Sequence, residues 1–490
     1  MKKRIHIIGA GVSGLSAACY LAQMGYDVTI FEKNDQPGGR AQVWSQDGFK
    51  FDMGPTWYWM PDVFEKFFAD FGYSPSDFFS LNRLDPGYSI YFDKGKRLSI
   101  SASLNEIYDL FESEEKGSSM HLASFLDMAQ KNYDIAIKNL VYQPGLSLSE
   151  LISTDTVLRL DQFFKSVRGV VRSKIKSSRL RKILEFPVLF LGAKPSSTPA
   201  FYSFMNHADF ALGTWHPIGG MSEVIKGIVK LTKQLGVKIL YNQHISGIAT
   251  NSEGKVVGIN IGDLLEPCEV VLSGADYAHT EKLLPPHLRQ YSDRYWDSRT
   301  MAPSSLLYYV AFDKKLINLD HHTLFFDTDF DNHAHAIYDQ PRWPESPMFY
   351  ANFPSITDVS FAPQNKECGT FLIPIAPDLE DSEQTRCFYF EKIIDRLEHL
   401  TGQSIKDSIL FYRSYCVTDF KNDYNSFKGN AYGLANTLKQ TAYFRPNLRS
   451  RKVKNLYFTG QLTVPGPGVP PALISGNIVS SLICSDLKNQ

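Results

Sequence analysis

The feature that most constrains this chain is a glycine-rich turn near its start, flanked by an apolar strand pattern and an alanine-rich helix pattern. The isoleucines of residues 4–8 predict a buried strand, and residues 15–24 predict a helix. Between them lies the spacing G-x-G-x-x-G. In a dinucleotide-binding fold, this turn lets a pyrophosphate lie against the free N–H groups at the helix N-terminus. The sequence therefore predicts a Rossmann-like α/β fold in which a dinucleotide binds at Gly9, Gly11, Val12, Ser13 and Gly14.

An acidic residue follows the next predicted strand. Residues 28–31 are mainly apolar, and Glu32 comes directly after them. At this distance from the glycine turn, a carboxylate accepts hydrogen bonds from the adenosine ribose hydroxyls and would repel a 2′-phosphate, which argues against NADP. Glu32 and the adjacent Lys33 are therefore assigned to the predicted cofactor site.

A second glycine pair bears on the choice between NAD and FAD. Gly38 and Gly39 allow another close approach of the backbone to a phosphate, and Arg40 adds a charged donor. This G-G-R run resembles the continuation of the fingerprint in the FAD-binding amine-oxidase and carotenoid-desaturase superfamily. The resemblance implies that the cofactor is FAD and that these three residues help to hold it.

Further segments resemble bacterial-type phytoene and carotenoid desaturases in particular. The run F-D-M-G-P-T-W-Y-W-M-P at 51–61 implies that Gly54, Pro55 and Thr56 lie beside the flavin. Near the end of the chain, N-L-Y-F-T-G at 455–460 and P-G-P-G-V-P-P at 465–471 imply that Gly460, Val469 and Pro470 surround the flavin ring. The strand-rich block at 237–276 implies that Ile245 contacts the adenine.

Composition limits the other function classes. The 51 lysines and arginines are balanced by 52 aspartates and glutamates, which argues against a nucleic-acid-binding protein. The 34 phenylalanines and 25 tyrosines indicate a large aromatic core or a long apolar cavity. The six scattered cysteines fit a reducing cytoplasm, and no apolar stretch is long enough to span a bilayer. His321-His322 and His333-Ala334-His335 lack the spacing of metal ligands, so surface or packing roles are expected and no metal site is predicted.

Residues 159–182 depart from this charge balance, with nine basic residues and one acid. A row of apolar residues at helical spacing (Phe164, Val167, Val171 and Ile175) runs beside a basic stripe (Lys165, Arg168, Arg172 and Lys176). The pattern predicts a basic amphipathic helix on an anionic membrane surface, or else a core helix with a solvated basic face. Many relatives carry an acid where Ser177 and Ser178 stand here, so Arg181 alone remains as a candidate catalytic residue.

These patterns together predict three parts. Residues 1–100, 216–290 and 451–490 form an FAD-binding domain with a parallel sheet, its helices and a β-meander. Residues 101–215 form a helical insertion that associates with a membrane. Residues 291–450 form an α+β domain that binds the substrate.

The resemblance implies an FAD-dependent desaturase on the cytoplasmic face of the membrane. It would act on phytoene and its partly desaturated products by hydride transfer to flavin N5, and pass the electrons to oxygen or a quinone. A cation stabilised by conjugation would lose its proton without a strong base, so no catalytic base is assigned. Three alternatives stay open: desaturation of a hydroxylated or cyclic carotenoid, for example at the 3,4 position; carotenoid isomerisation; and non-catalytic binding of a prenyl chain or lipid.

Overall fold

The computed structural model describes residues 2–152 and 154–489. Its strands are β1 Arg4–Ile8, β2 Asp27–Phe31, β3 Val43–Gln46, β4 Phe49–Asp52, β5 Leu81–Arg83, β6 Tyr88–Asp93, β7 Lys96–Ile100, β8 Trp215–Pro217, β9 Lys238–Leu240, β10 Gly247–Thr250, β11 Val256–Ile261, β12 Leu264–Pro267, β13 Val270–Ser273, β14 Ser304–Phe312, β15 His322–Phe325, β16 Phe349–Asn352, β17 Glu367–Ile375, β18 Ile409–Tyr415 and β19 Leu456–Phe458.

The helices alternate with these strands in the first part of the chain and cluster in the middle. They are α1 Val12–Gln23, α2 Pro61–Ala69, α3 Leu104–Glu114, α4 Ser118–Ile135, α5 Thr154–Val157, α6 Leu160–Phe164, α7 Val167–Lys174, α8 Ser178–Glu185, α9 Phe204–Phe210, α10 Met221–Gln234, α11 Tyr277–Lys282, α12 Asp293–Asp297, α13 Phe330–Tyr338, α14 Glu383–Thr401, α15 Val417–Tyr424 and α16 Val469–Lys488. Among the described residues, no helix is both long and apolar enough to cross a bilayer.

A five-stranded parallel sheet in the order β19-β13-β1-β2-β9 forms the nucleotide-binding half of the fold. Ile5 in the central strand pairs with Val28 on one side and Val270 on the other, and Val271 pairs with Leu456. Strands from three distant parts of the sequence therefore lie side by side, and their carboxyl ends meet at one edge of the sheet. The predicted α/β class with a parallel sheet is confirmed, and β10–β12 form the predicted antiparallel meander.

Helix α1 begins at Val12, three residues before the predicted start. Gly11 has an extended backbone (φ −71°, ψ 171°) and caps the helix. Val12 and Ser13 therefore lie in the first turn, where the backbone N–H groups have no partner within the helix.

The second large sheet has seven strands in the order β18-β14-β17-β16-β15-β6-β7. β15 and β6 pair in parallel, and the remaining neighbours are antiparallel. β6 and β7 belong to residues 88–100, which the sequence analysis assigned to the FAD-binding domain. These strands hydrogen-bond to the sheet of residues 304–415, on the other side of the predicted boundary at residue 100. The division into domains stays a prediction.

The basic segment 159–182 is not one amphipathic helix, so this prediction is wrong. It is divided among α6, α7 and α8. The break at Lys165 arises because its carbonyl accepts a hydrogen bond from Ala200 N (2.8 Å), while Val167 N donates to Thr198 O (3.0 Å). Ile175 is again extended (φ −107°, ψ 131°). Val167, Val171 and Ile175 are buried, but the Phe164 side chain is 76% exposed.

Candidate functional site

One cavity extends from the carboxyl edge of the parallel sheet to the seven-stranded sheet. Its wall includes every residue predicted to bind the cofactor except Gly14: Gly9, Gly11, Val12, Ser13, Glu32, Lys33, Gly38, Gly39, Arg40, Gly54, Pro55, Thr56, Ile245, Gly460, Val469 and Pro470. Gly14 lies behind this wall, where a Cβ would come within 2.3 Å of Gly9 O. The structure therefore brings together residues from both ends and the middle of the sequence.

Glycine is required where two backbone loops meet at this end of the cavity. Gly39 has a φ of +58°, and a Cβ on it would stand 3.2 Å from Gly11 Cα. A Cβ on Gly54 would come within 2.1 Å of Arg40 O. By contrast, no atom of the described residues lies within 4 Å of the place where a Cβ on Gly11 would stand. Gly11 thus leaves open space in front of the first turn of α1.

Glu32 connects the loops around this space. Its Oε2 accepts a hydrogen bond from Ala10 N (2.7 Å), and its Oε1 accepts one from Asn34 N (2.9 Å). Burial raises the pKa of Glu32, while these N–H groups and the adjacent Lys33 oppose the shift. The carboxylate therefore holds the glycine turn in place, a role additional to the ribose contact predicted from sequence.

Arg40 supplies a partly unpaired cation at the cavity wall. Its Nη2 donates to Ser426 Oγ (3.0 Å) and to Asn430 O (3.2 Å), and its guanidinium lies 5.1 Å from the centre of the Tyr424 ring. Its buried Nε has no partner among the described residues. Burial lowers the pKa of Arg40, and the nearby Asp276 carboxylate raises it. A guanidinium at the wall of this cavity fits an anionic group such as a pyrophosphate.

Two helix N-termini reach the same cavity. No described side chain caps α1 at Gly11 or α16 at Gly468. The two helices are in close contact, because Ser16 Oγ donates to Leu473 O (2.8 Å) and a Cβ on Gly476 would stand 2.6 Å from Ser16 Cβ. The positive ends of both helix dipoles are therefore fixed beside the cavity, where they favour negative charge.

The far part of the cavity is lined mainly by aromatic and aliphatic side chains. They come from the segments after β4 and β15, from the helical region and from α13, and include Trp57, Phe186, Phe204, Phe326, Phe330 and Ile337. Tyr350 in β16 adds a hydroxyl to this wall, next to Thr56 Oγ1 (2.8 Å). Thr56 thus lies where the glycine-rich and aromatic parts of the cavity meet.

The sequence analysis missed several polar residues of this region. His322 Nδ1 lies 2.6 Å from the Tyr350 hydroxyl, and both His321 and His322 are buried. The cavity wall also carries Ser305, Tyr338 and Tyr432. No local spacing could have identified these residues, because they lie on separate strands, helices and loops that only the tertiary fold brings together.

Arg181, the one candidate catalytic residue from sequence, does not lie at the cavity. Its Nε donates to Ile175 O (2.6 Å), so it satisfies the carbonyl at the end of α7. Its position therefore gives no support to a catalytic role.

The parallel sheet, the glycine turn and the cavity at the carboxyl ends of the strands define a dinucleotide-binding α/β protein. Residues 12–484 match the family model described as flavin containing amine oxidoreductase. The chain belongs to this family. It is an oxidoreductase, and its cofactor is FAD.

Curated relatives align over nearly the whole chain. The chain is 42% identical to the carotenoid 3,4-desaturase of Haloarcula japonica, in an alignment that covers 99% of this chain and 98% of that protein. It is 31% with the 4,4′-diapophytoene desaturase of Staphylococcus haemolyticus, covering 99% of both chains. It is also 31% with the zeta-carotene-forming phytoene desaturase of Myxococcus xanthus, covering 98% of this chain and 93% of that protein.

Solved structures share the fold at lower identity. An oxidoreductase from Methanosarcina mazei aligns with a TM-score of 0.64 and 18% identity, covering 99% of this chain and 100% of that one. A double mutant of putrescine oxidase aligns with a TM-score of 0.62 and 15% identity, covering 99% of both chains.

The open space in front of Gly11 leads to the first prediction. A Gly11→Val variant should fold, because the extended φ of this residue suits any side chain and no described atom obstructs the first added carbon. It should lose FAD, since the new side chain would fill the space before the helix N-terminus. Flavin absorbance of the purified protein measures the loss, and the thermal midpoint of the flavin-free forms measures folding.

Gly169→Ala, a glycine substitution in α7 away from the cavity, is the matched control and should retain flavin. A Gly11→Val protein with a full complement of FAD would contradict the assignment of this end of the cavity.

Proposed function

We propose that this flavoprotein introduces a double bond into a carotenoid, and that its substrate carries an oxygen group. The 42% identity with a carotenoid 3,4-desaturase over almost the full length of both chains carries the first part. Identity with the two desaturases named for phytoene-type substrates is lower, at 31%. This difference favours the 3,4-desaturase alternative over the prediction that phytoene is the substrate.

The cavity suits a long apolar molecule next to a flavin. Aromatic and aliphatic side chains exclude water from the aromatic part of the cavity. At the glycine-rich part, the glycine loops, Glu32 and Arg40 would hold the FAD. Bound FAD supplies the acceptor for a hydride from an allylic carbon. The protein's part is to align the carbon chain and to keep the reacting region dry. Oxygen or a quinone as the final electron acceptor stays a prediction.

Three hydroxyls in the apolar part of the cavity support an oxygen-bearing substrate. Ser305 is only 1% exposed, and the hydroxyl within its reach is that of Tyr432. Tyr432 lies near it, because Ala431 N donates to Pro303 O (3.2 Å) and Ala302 N donates to Gly433 O (2.8 Å). Burial raises the pKa of Tyr432, and the Ser305 hydroxyl opposes this shift.

Tyr338 is the third of these hydroxyl-bearing residues. It lies at the end of α13, and Tyr432 is close enough to add to the effect of burial in raising its pKa. A hydrocarbon chain would leave these hydroxyls with no partner beyond one another, at a cost of about 1–3 kcal/mol for a buried group left unpaired. A hydroxyl on the carotenoid could donate to one of them and accept from another.

This arrangement leads to a prediction about substrate preference. The flavin-loaded protein, mixed in liposomes without oxygen with a hydroxylated carotenoid or with its matching hydrocarbon, should lose oxidised-flavin absorbance faster with the hydroxylated one. The triple variant Ser305→Ala, Tyr338→Phe and Tyr432→Phe should reduce this preference by roughly tenfold or more, because its cavity no longer penalises the hydrocarbon. Product mass should fall by two hydrogens per reaction, which separates desaturation from isomerisation.

Tyr202→Phe is the matched control. Tyr202 also lines the cavity, but its hydroxyl already has a hydrogen-bond partner, Thr441 Oγ1, at 2.6 Å. The preference should be unchanged in this variant. Equal rates with both carotenoids in the unmodified protein would contradict the oxygen-bearing substrate. A flavin that no carotenoid reduces would contradict the desaturase function itself.

We also propose that the protein takes its substrate from a membrane surface, through apolar side chains that overlap the start of the predicted segment 159–182 rather than through its basic stripe. Arg168 and Arg172, half of the predicted basic stripe, donate through Nε to the buried carboxylate of Glu185 (3.1 and 3.0 Å). Exposed apolar side chains lie just before them instead, at Ile152, Val157, Leu158, Leu160 and Phe164. Phe163 lines the cavity while the adjacent Phe164 is exposed, so α6 separates the cavity from this surface.

Removing two of these side chains should weaken membrane binding. Leu158 and Phe164 are 78% and 76% exposed. A Leu158→Ser, Phe164→Ser variant should bind vesicles of phosphatidylglycerol and phosphatidylcholine about tenfold more weakly, a loss of about 1.4 kcal/mol. Flotation of the flavin-loaded protein measures the bound fraction. Val359→Ser, which changes a side chain that is 90% exposed elsewhere, is the control. Equal flotation of all three proteins would contradict this surface.

A further inference from the structure

A chain of three hydrogen-bonding side chains leads from the cavity into the seven-stranded sheet. Thr56 Oγ1 lies 2.8 Å from the Tyr350 hydroxyl, which lies 2.6 Å from His322 Nδ1. Thr56 and Tyr350 line the cavity, whereas His322 stands behind them and is fully buried. The antiparallel register of β15 and β16, in which His322 pairs with Asn352, sets this arrangement.

Asn352 determines the direction of these hydrogen bonds. Its side-chain Nδ2 donates to His321 O (3.1 Å) and lies 3.3 Å from His322 Nδ1. An amide nitrogen can only donate, so His322 Nδ1 is an acceptor and the neutral ring carries its hydrogen on Nε2. The Tyr350 hydroxyl therefore donates to His322 Nδ1, and the Tyr350 oxygen accepts from Thr56 and from the Trp57 indole N–H. Tyr350 already directs its proton at the imidazole.

The surroundings of His322 keep it neutral at rest, and its neighbours Trp57 and Asp358 offset part of the cost of protonating it. Burial, aided by the nearby His216, lowers the pKa of His322 well below 6.5. Trp57 stacks on the imidazole, with ring centres 4.0 Å apart and planes 8° apart, and an indole face attracts a cation. Burial opposes ionisation of Asp358, but hydrogen bonds from Gly219, Ser360 and His216 outweigh it and lower the pKa of Asp358 to about 2.

That carboxylate gives the histidine cluster a fixed negative charge. Asp358 Oδ2 lies 3.0 Å from His216 Nε2, and the His216 and His321 rings are 4.6 Å apart. The titratable and charged groups around the Tyr350–His322 pair are His216, His321, Asp358, Asp52, Lys50 and Tyr432.

We propose that Tyr350 is the catalytic residue that accepts the proton released in desaturation, and that His322 is its positioning partner and final proton acceptor. The inference rests on the proposed function. Bound FAD would supply the acceptor for the hydride, that is the hydrogen and the electron pair, of one substrate C–H bond. The C–H bond on the neighbouring carbon then breaks, and its electron pair forms the new double bond. Its proton goes to the Tyr350 oxygen while the Tyr350 proton moves to His322 Nδ1, which leaves Tyr350 neutral and His322 an imidazolium.

Two substitutions test this step in anaerobic single turnover with a carotenoid. Tyr350→Phe removes the accepting oxygen, and His322→Gln keeps a hydrogen-bonding group that cannot take the proton. Both variants should retain FAD and bind the carotenoid in the oxidised state, but their rate of flavin reduction should fall about 100-fold. Tyr91→Phe is the matched control and should stay within about twofold. It removes a buried hydroxyl that donates to Asn318 O (2.6 Å) in the same sheet.

The pH dependence separates a chemical role from a structural one. His322 must be neutral to accept the proton, so the rate in the unmodified protein should fall as the pH drops through the His322 pKa, which lies below 6.5. This decline should disappear in both variants. The proposal would be overturned if both variants reduced flavin at the rate of the unmodified protein and showed the same fall in that rate at low pH.

A second measurement does not depend on turnover. Nitrogen-15 NMR of histidine-labelled, oxidised protein, with His322→Gln to identify the signal, should show His322 neutral at pH 7 with its hydrogen on Nε2. A protonated ring, or a hydrogen on Nδ1, would overturn the proposal. If none of the carotenoids reduces the flavin of the unmodified protein, the desaturase function is contradicted instead. The NMR result then still decides whether the hydrogen-bond chain has the proposed direction.

Discussion

The packing of α1 against α16 is the interaction on which the cofactor end of this molecule depends. The two helices are far apart in sequence, but Ser16 donates to Leu473 O and Ser480 Oγ donates to Ala17 O (3.2 Å). Gly476 leaves room for Ser16 at a distance that no side chain would permit. Because the contact is this close, both N-termini open on one cavity, and the glycine turn after β1 lies beside the C-terminal segment.

The glycine turn and Glu32 could be placed at one site from sequence because each directly follows its own strand of the parallel sheet. Gly54 approaches the backbone of Arg40, from another part of the chain, and only the resemblance to the family assigned it to the site. The Tyr350–His322 contact could not be predicted in this way. It depends on the register of two strands, and neither residue lies in a recognisable motif.

The failure of the predicted amphipathic helix has a similar cause. The helical spacing of apolar residues between 164 and 175 indicated one continuous helix, and Val167 and Val171 of this row are indeed buried. The spacing contains no information about the hydrogen bond from Ala200 N to Lys165 O, which interrupts the helix. The basic stripe has a second, equally non-local explanation. Glu185 is 3% exposed, and a buried carboxylate requires paired cations, which Arg168 and Arg172 provide.

The buried imidazole of His322 lowers the stability of the folded protein, so its presence in the seven-stranded sheet needs an explanation. His322 is fully buried, and its Nε2 has no partner among the described residues, at a cost of about 1–3 kcal/mol. An apolar side chain stacked on Trp57 would avoid this cost. The imidazole lies one hydrogen bond behind Thr56 and Tyr350, where the glycine-rich and aromatic parts of the cavity meet. At that junction a neutral ring can receive a proton that the apolar wall around it cannot hold, and the proposed relay gives the buried histidine a chemical role.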